Sequence, residues 1–216
     1  MIRAVVFDMD GTLLDTEKLY KRFWAEAARQ MGYPMREEQA LLVRATAAPI
    51  AQEILRREVC PDFDYYGVRA LRRKLMEAYI DETGVDAKPG LLEMLRELKD
   101  MGLSIALATA TQEHRARKYL QMVGAEAYFD AVVCAEMVEK GKPAPDIYAY
   151  AAQRLGVLPH EAVAVEDAPS GIRSAHAAGL VTVMIPDQDE PDQELRSLCA
   201  AVLPSLNAVC PYIRGL

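Results

Sequence analysis

The sequence predicts an α/β protein: a doubly wound parallel β-sheet with an all-helical segment inserted after the first strand. Three observations predict this fold. Short apolar segments alternate with helix-like segments from residue 104 onward. A similar apolar segment opens the chain, and residues 17–84 contain nothing that resembles a strand bounded by turns. Strands that alternate with helices form βαβ units, and their right-handed crossovers build a doubly wound sheet.

The predicted strands are short runs of apolar and β-branched residues. The first covers residues 3–7 and ends where acidic residues begin. The remaining strands are predicted at residues 104–108, 131–134, 162–165, 181–185 and 201–203. Helices are predicted between them at residues 90–100, 112–123, 145–155 and 170–178. Because one strand precedes the helical segment and the others follow it, we expect a core domain made of residues 1–16 and 85–216.

Residues 17–84 are predicted to form a separate helical domain. Its first helix is predicted at residues 15–32, where apolar side chains recur every four residues along one face. These side chains are Leu19, Phe23, Ala27 and Met31. The longest helix of this domain is predicted at residues 62–83.

The overall composition is that of an ordinary globular protein and argues against several functional classes. The 216 residues include 25 Lys and Arg against 32 Asp and Glu, a net charge of −7, so the basic surplus of a general nucleic-acid-binding protein is missing. The sequence has no run of about 18 apolar residues that could span a membrane, and Asp8 interrupts any signal-peptide core. We therefore expect neither a nucleic-acid partner nor a membrane partner. For the oligomeric state we expect a monomer or a weak homodimer.

The cysteines also indicate a compartment. Cys60, Cys134, Cys199 and Cys210 are scattered, without the Cys-x-x-Cys spacing of a zinc or redox site. We interpret them as free thiols in a reducing environment, which predicts a cytoplasmic protein.

Acidic residues directly follow two of the predicted strands. Asp8 and Asp10 come after the first strand in the run Asp-Met-Asp-Gly-Thr, and Glu166 and Asp167 follow the strand at 162–165. In an open α/β sheet, ligands bind at the carboxyl ends of the strands. An ordinary turn would also explain the first pair, and a favourable charge at a helix N-terminus would explain the second.

A hydroxyl group and a lysine are expected at the same edge. Thr109 precedes a predicted helix, where free N–H groups can bind an anion, although an ordinary N-cap is the alternative. Lys142 lies in Gly-Lys-Pro-Ala-Pro-Asp, and a surface lysine is the alternative there. Four acids in one crevice repel one another unless a cation neutralises them, and all-oxygen ligands suit Mg²⁺. Together these residues predict a phosphate bridged to magnesium.

The order and spacing of these residues resemble the four motifs of the haloacid dehalogenase superfamily. The matching segments are residues 8–16 (Asp-Met-Asp-Gly-Thr-Leu-Leu-Asp-Thr), Thr109, Lys142 and Glu166-Asp167. The resemblance extends over the whole chain and implies a Rossmann-like core with a helical cap. The sequence is most similar to the branch that holds β-phosphoglucomutases and small sugar-phosphate phosphatases.

The resemblance implies a role for each motif. Asp8 is the implied nucleophile, which forms an aspartyl-phosphate, and Asp10 is the implied general acid and base. The implied metal ligands are the carboxylates of Asp8 and Asp167 and the backbone carbonyl of Asp10, with Glu166 on the metal or just behind it. The implied phosphate-binding groups are Thr109, the N–H of Ala110, and Lys142. True dehalogenases of the superfamily do not keep the second aspartate of the first motif, so Asp10 favours phosphate chemistry.

By the same resemblance, Thr16, Glu17 and Tyr20 lie on the chain that rises from the nucleophile into the cap, where they would face the substrate. Packing on a helix face is the alternative for these side chains. β-Phosphoglucomutases carry a histidine where this sequence has Tyr20, which favours hydrolysis over the mutase reaction. We interpret the basic cluster at residues 72–74 as a solvated helix face rather than an anion-binding site.

The sequence therefore predicts a magnesium-dependent phosphatase that acts on a small phosphorylated metabolite, with sugar and polyol phosphates as the favoured class. A β-phosphoglucomutase-like mutase is the first alternative, because it differs only in whether water or a second sugar hydroxyl takes the phosphoryl group from Asp8. A binding protein that keeps the fold without turnover is the second alternative, and it is disfavoured because the motif residues are intact.

Overall fold

The computed structural model describes residues 1–44, 46 and 48–216. Within it the chain divides into two compact units. One unit, the core unit, comprises Met1–Asp15 and Val85–Leu216, and the other, the helical unit, comprises Thr16–Gly84. No helix among the described residues is long and apolar enough to cross a membrane.

The core unit is built on a parallel sheet of six strands in the order β3-β2-β1-β4-β5-β6. The strands are β1 (Ala4–Phe7), β2 (Ser104–Thr109), β3 (Ala131–Cys134), β4 (Ala162–Glu166), β5 (Val181–Met184) and β6 (Ala201–Val202). The predicted α/β class is confirmed. Strands β1 to β4 are buried almost throughout, as expected for a parallel sheet that is covered on both faces, and this explains their continuous apolar sequences.

Two strands continue one residue further than the apolar runs predicted. β2 includes Thr109, which pairs with Cys134, and β4 includes Glu166, which pairs with Met184. The apolar pattern predicts that each strand ends just before its first polar residue. Backbone hydrogen bonds to the neighbouring strand do not depend on the side chain, so the strands can continue through these polar residues. Both extra residues belong to the predicted site.

The helical unit contains three α-helices and one 3₁₀ segment among its described residues. They are α1 (Glu17–Gln30), the 3₁₀ segment Glu37–Val43, α2 (Ala48–Glu58) and α3 (Tyr65–Thr83). On α1, Leu19, Phe23 and Ala27 are buried as the periodicity predicted, but Met31 is 37% exposed because the helix ends before it. The core of this unit consists mainly of aromatic and aliphatic side chains, including Trp24, Leu55, Phe63, Tyr65 and Val68.

The remaining helices belong to the core unit. They are α4 (Leu91–Asp100), α5 (Glu113–Met122), α6 (Asp146–Leu155), α7 (Pro169–Ala177), α8 (Gln193–Leu198) and α9 (Val209–Arg214). The short helices α8 and α9 were not among the predicted elements, because six residues are too few to show a helical period. A cluster of buried side chains joins the sheet to α6 and includes Val6, Val133, Ile147 and Tyr148.

The strand order changes direction at β1, and this feature positions the site. β1 pairs with β2 on one side and with β4 on the other, with Phe7 opposite Leu107 and Val165. Connections leave a doubly wound sheet in opposite directions at such a switch point, which opens a crevice at the carboxyl ends of the strands. The residues that follow Phe7 therefore enter this crevice.

Candidate active site

Asp8 is the first residue after β1 and the centre of an acidic cluster. Its N–H donates to the carbonyl of Val165 (3.0 Å), which holds the backbone in line with β4. One carboxylate oxygen each from Asp8, Glu166 and Asp167 lies within 4.8 Å of the others. All three residues are at most 7% exposed. Three of the four predicted acids, Asp8, Glu166 and Asp167, are thus brought together in one buried cluster.

The loop after β1 holds Asp167 in place. The hydroxyl of Thr12, itself buried, donates to Oδ1 of Asp167 (2.9 Å). Gly11 has a φ of +89°, and a Cβ at this position would overlap the Asp167 carboxylate. Glycine is therefore required twice here, for the left-handed backbone and for the close approach of the carboxylate.

Lys142 points into this cluster from the loop before α6. Its Nζ lies 2.5 Å from Oδ1 of Asp8 and 2.6 Å from Oε1 of Glu166, and its side chain is only 8% exposed. The alternative of an exposed surface lysine is therefore wrong. The loop is anchored from α7, where the hydroxyl of Ser174 donates to the carbonyl of Ala144 (2.5 Å).

The Glu166 carboxylate is held by donors on both of its oxygens. Oε2 accepts from the backbone N–H groups of Asp167 and Ala168, both at 3.0 Å. Oε1 accepts from Lys142 and from the hydroxyl of Tyr148 (3.0 Å). An ionised carboxylate has about four lone-pair sites, so this set of donors fixes its orientation.

Burial and charge perturb the titration of the cluster. Burial raises the pKa of Asp8 well above its usual value; Lys142 opposes this effect, and the neighbouring carboxylates reinforce it. Burial alone would lower the pKa of Lys142, but Asp8 and Glu166 outweigh burial, so this pKa is raised and the lysine stays charged. The pKa of Tyr148 is raised by burial and by Glu166, so its hydroxyl keeps its proton.

Asp10 lies outside the three-carboxylate cluster and contacts the loop after β2. Its Oδ2 accepts from the hydroxyl of Thr111 (2.8 Å), and the N–H of Thr111 donates to the hydroxyl oxygen of Thr109 (3.0 Å). Thr109 is fully buried in β2, and Ala110 is exposed. The N-cap residue of α5 is Gln112, so the alternative of Thr109 as an ordinary N-cap is wrong.

In the helical unit, Thr16 and Glu17 are buried, and Glu17 forms an ion pair with Arg44 (3.3 Å). Tyr20 is 36% exposed, and its ring faces the guanidinium of Arg72 at 4.1 Å. The place of Thr16, Glu17 and Tyr20 beside a substrate stays a prediction.

The interpretation of residues 72–74 as a solvated face is wrong for Arg72, which is only 5% exposed. The guanidinium of Arg72 also lies 5.5 Å from the ring centroid of Trp24. Lys74, in contrast, is exposed. Periodicity assigns a charged residue to the polar face of a helix and cannot show that aromatic rings of another helix cover it.

Sequence reasoning assigned no role in the site to several residues that position it. They are Gly11, Thr12, Thr111, Tyr148, Gly171 and Ser174. Three of them lie within two residues of a predicted site residue, so proximity along the chain was an available signal. The other three come from α6 and α7, and nothing in their local sequence indicates which site residue they contact.

The donor set of the cluster fits a divalent cation. All the ligand atoms are carboxylate oxygens, which hard divalent cations prefer. Burial is the main cause of the raised pKa of Asp8, and repulsion from the neighbouring carboxylates adds to it. A bound cation would relieve that repulsion.

Comparison with known proteins agrees with this geometry. A family model of haloacid dehalogenase-like hydrolases matches residues 2–179. Hexitol phosphatase A of Escherichia coli is 33% identical over 202 residues, which is 91% of each chain. The phosphorylated carbohydrates phosphatase of Thermotoga maritima is 32% identical over 183 residues, 83% of this chain and 82% of that protein. The crystal structure of CbbY from Rhodobacter sphaeroides in complex with phosphate has a TM-score of 0.74 at 28% identity and 95% coverage of both chains.

The chain therefore belongs to the family of haloacid dehalogenase-like hydrolases.

Proposed function

We propose that this protein is a magnesium-dependent phosphatase that hydrolyses a small phosphorylated metabolite, a sugar or polyol phosphate, through a phospho-enzyme formed on Asp8. The observation that carries the proposal is the arrangement around Asp8. A buried carboxylate follows the central strand, a charged lysine lies 2.5 Å from it, and two further carboxylates lie close enough to share a cation with it. Phosphoryl transfer needs positioned charges of this kind and little other chemistry.

In the first step, an oxygen of Asp8 attacks the phosphorus of the substrate and the bond from phosphorus to the leaving oxygen breaks. Asp10 donates a proton to that leaving oxygen, and the contact with Thr111 orients the Asp10 carboxyl group. Lys142 and the loop that follows Thr109 bind the non-transferring phosphoryl oxygens. The products of this step are the free alcohol and an aspartyl-phosphate on Asp8.

In the second step, water attacks the phosphorus of the aspartyl-phosphate. Asp10 accepts the proton of this water, and the bond between phosphorus and the Asp8 oxygen breaks. Inorganic phosphate leaves, and both aspartates return to their starting states. Asp10 thus acts as an acid in one step and as a base in the other.

Asp8 and Asp167 would hold the Mg²⁺ ion, with Glu166 beside it and the carbonyl of Asp10 as a further ligand. A bound Mg²⁺ ion supplies positive charge to phosphate oxygens and neutralises the acidic cluster. Mg²⁺ keeps several water ligands and is bound by few carboxylates. The Glu166 carboxylate already accepts four hydrogen bonds, which agrees with a position beside the ion rather than as one of its main ligands.

The names of the relatives support the substrate class. One acts on a hexitol phosphate and another on phosphorylated carbohydrates, as their names state. Both align with more than four fifths of this chain, and the range matched by the family model, residues 2–179, includes every motif residue. A neutral polyhydroxylated alcohol as leaving group is also consistent with general-acid catalysis by Asp10, because a poor leaving group needs a proton.

The experiment that tests the proposal is a phosphate-release screen with sugar, polyol, nucleotide and two-carbon phosphates, with and without Mg²⁺. We expect release that depends on Mg²⁺ and is fastest with sugar or polyol phosphates. A protein that releases phosphate from none of these substrates would contradict the phosphatase proposal.

A second assay separates hydrolysis from phosphoryl transfer to another sugar. The protein is supplied with β-glucose 1-phosphate and a trace of the 1,6-bisphosphate, and both products are measured. Tyr20 carries a phenol in place of the imidazole that the mutases have at this position, so it cannot replace their histidine as an acid-base group. We therefore expect inorganic phosphate as the main product. If glucose 6-phosphate forms many times faster than phosphate, the mutase alternative is correct.

A further inference from the structure

Tyr148 is a fully buried residue of α6 whose hydroxyl reaches the acidic cluster. Its ring packs in the apolar core between the sheet and α6. The hydroxyl donates to Oε1 of Glu166 (3.0 Å) and lies 3.4 Å from Nζ of Lys142. The same ammonium group lies 5.0 Å from the centroid of the Tyr148 ring. One tyrosine therefore contacts both members of an ion pair.

The hydroxyl is not needed to satisfy Glu166. Without it, Oε1 of Glu166 would still accept from Lys142, and Oε2 would keep its two backbone donors. A phenylalanine would also fill the apolar part of the site equally well. The oxygen of Tyr148 is therefore separable from the packing of its ring, and its contribution must lie in how it affects Glu166 and Lys142.

Two carboxylates compete for Lys142, because Nζ lies 2.5 Å from Asp8 and 2.6 Å from Glu166. The Tyr148 hydroxyl is a second donor on Oε1 of Glu166, and its hydrogen bond weakens the attraction of that oxygen for the Lys142 ammonium group. The ammonium is then held less tightly by Glu166 and stays available to Asp8 and to the oxygens of a phosphoryl group on Asp8. Loss of the hydroxyl would shift the balance of this competition toward Glu166.

We propose that Tyr148 is a positioning residue that acts through Glu166 to keep Lys142 directed at the phosphoryl group during transfer. This inference rests on the proposed function for its kinetic consequence. Tyr148 transfers no proton in this proposal, and its role is to set the position of the Lys142 ammonium group. Groups that hold the residues in direct contact with a reacting centre commonly change activity by about 10- to 100-fold when they are removed.

The test is Tyr148→Phe, which removes only the oxygen. We expect kcat to fall by about tenfold and KM to change by less than about threefold, because the interaction matters most when charge develops on the phosphoryl oxygens. The Kd of vanadate, a five-coordinate mimic of the transferring group, should rise by about tenfold when measured by calorimetry with Mg²⁺. The melting temperature should stay within about 4 °C.

Tyr119→Phe is the matched control, because Tyr119 is another buried tyrosine of the core unit and lies on α5. We expect its kcat and vanadate Kd to stay within about twofold of wild type, as for most substitutions that leave a site untouched. If Tyr148→Phe also stays within twofold for both quantities, or if it raises KM alone, the positioning role is wrong.

The two readouts separate this inference from the proposed function. A wild-type protein that releases phosphate from no substrate contradicts the phosphatase proposal, and the vanadate comparison still decides the role of Tyr148. A wild-type protein that does not bind vanadate contradicts the inference itself.

Discussion

Asp8 combines a buried position with a charge that its surroundings disfavour. Burial raises its pKa, three other carboxylates add to the effect, and Lys142 only partly compensates. A residue chosen for stability alone would carry no charge at this position. An unfavourable position of this kind is expected where a site is built for chemistry. The same negative field favours the binding of a cation, and the bound cation can then attract a phosphoryl group.

Asp8→Asn should abolish turnover while the fold is retained. The amide has nearly the same shape as the carboxylate but cannot attack phosphorus, and enzymes accelerate phosphate-monoester hydrolysis by up to about 10²¹-fold. Initial rates of phosphate release measure this effect, and Asp100→Asn at the exposed end of α4 is the control. Residual activity within about tenfold of wild type would exclude Asp8 as the nucleophile.

The same variant should raise the stability of the metal-free protein at neutral pH. The folded-state pKa of Asp8 lies above that of the unfolded chain. The folded state therefore binds more protons between the two values, and the free energy of unfolding of wild type falls as the pH rises through that window.

The gain from Asp8→Asn should thus be small below about pH 4, the ordinary pKa of aspartate, and should grow as the pH rises toward the folded-state value. Urea unfolding in a chelator over a series of pH values measures the difference. A variant that is less stable than wild type at pH 7, or a difference that does not change with pH, would contradict this explanation.

At the scale of elements, two neighbouring strands and the first turn of one helix assemble the site. β1 and β4 are in register, with Phe7 opposite Val165, so the residues that follow each strand lie side by side although they are far apart in sequence. The first turn of α7 lies close to Glu166, and a Cβ at Gly171 would overlap the carboxylate of Glu166. The helix thus approaches the strand end as closely as it does only because glycine lies there.

Gly171→Ala should therefore lower activity more than it lowers stability. The added methyl group displaces the Glu166 carboxylate, which loses its alignment with Lys142 and Tyr148, and we expect kcat to fall by about tenfold or more. Alanine favours a helix over glycine by about 1 kcal/mol, which offsets part of the cost of the overlap.

Gly141→Ala is the matched control for this variant, because a Cβ at Gly141 would meet nothing within 4 Å. Its kcat should remain within about threefold of wild type, as expected for a surface substitution. Steady-state kinetics and urea unfolding of both variants check the prediction. Equal activity of the two variants would show that the position of Glu166 is unimportant.

At the scale of the whole molecule, the protein carries a net charge of −7 and places three carboxylates in one buried cluster of its core unit. Only one cation of the chain, Lys142, lies within an ion-pair distance of Asp8 or Glu166 among the described contacts. An acidic protein that binds an anionic substrate needs local positive charge, and a bound metal ion supplies it where the chain does not.

Chelation should abolish phosphate release, and Mg²⁺ should restore it. Ca²⁺ should restore it poorly, because Ca²⁺ prefers six to eight ligands at longer distances and disturbs the tight geometry that the transferring group requires. Phosphate release during titration with each cation measures the effect, and the Asp8→Asn protein should show a weaker thermal shift with Mg²⁺ than wild type. Full activity in excess chelator would contradict a metal-dependent mechanism.

Much of the fold and of the site could be predicted from local sequence. Four apolar runs that end in Asp8, Thr109, Cys134 and Glu166 indicated a parallel sheet and its functional edge, because strands buried on both faces leave an unmistakable hydrophobic signature. Lys142 and the acids could be chosen because charged groups at that edge are unusual unless they have a function. Arg72 was misassigned because its burial depends on aromatic rings of another helix.

The sequence by itself determined the class of fold, the helical insertion and the motif residues, since each depends on periodicity or on a few adjacent positions. Only the tertiary structure decided how the charges are satisfied: that Lys142 lies between Asp8 and Glu166, that Thr12 holds Asp167, and that Tyr148 shares an oxygen of Glu166. These contacts join residues from separate strands and helices. Their distances are set by strand register and helix packing, which no local pattern encodes, because hydrogen bonds and Coulomb interactions act over only a few ångströms.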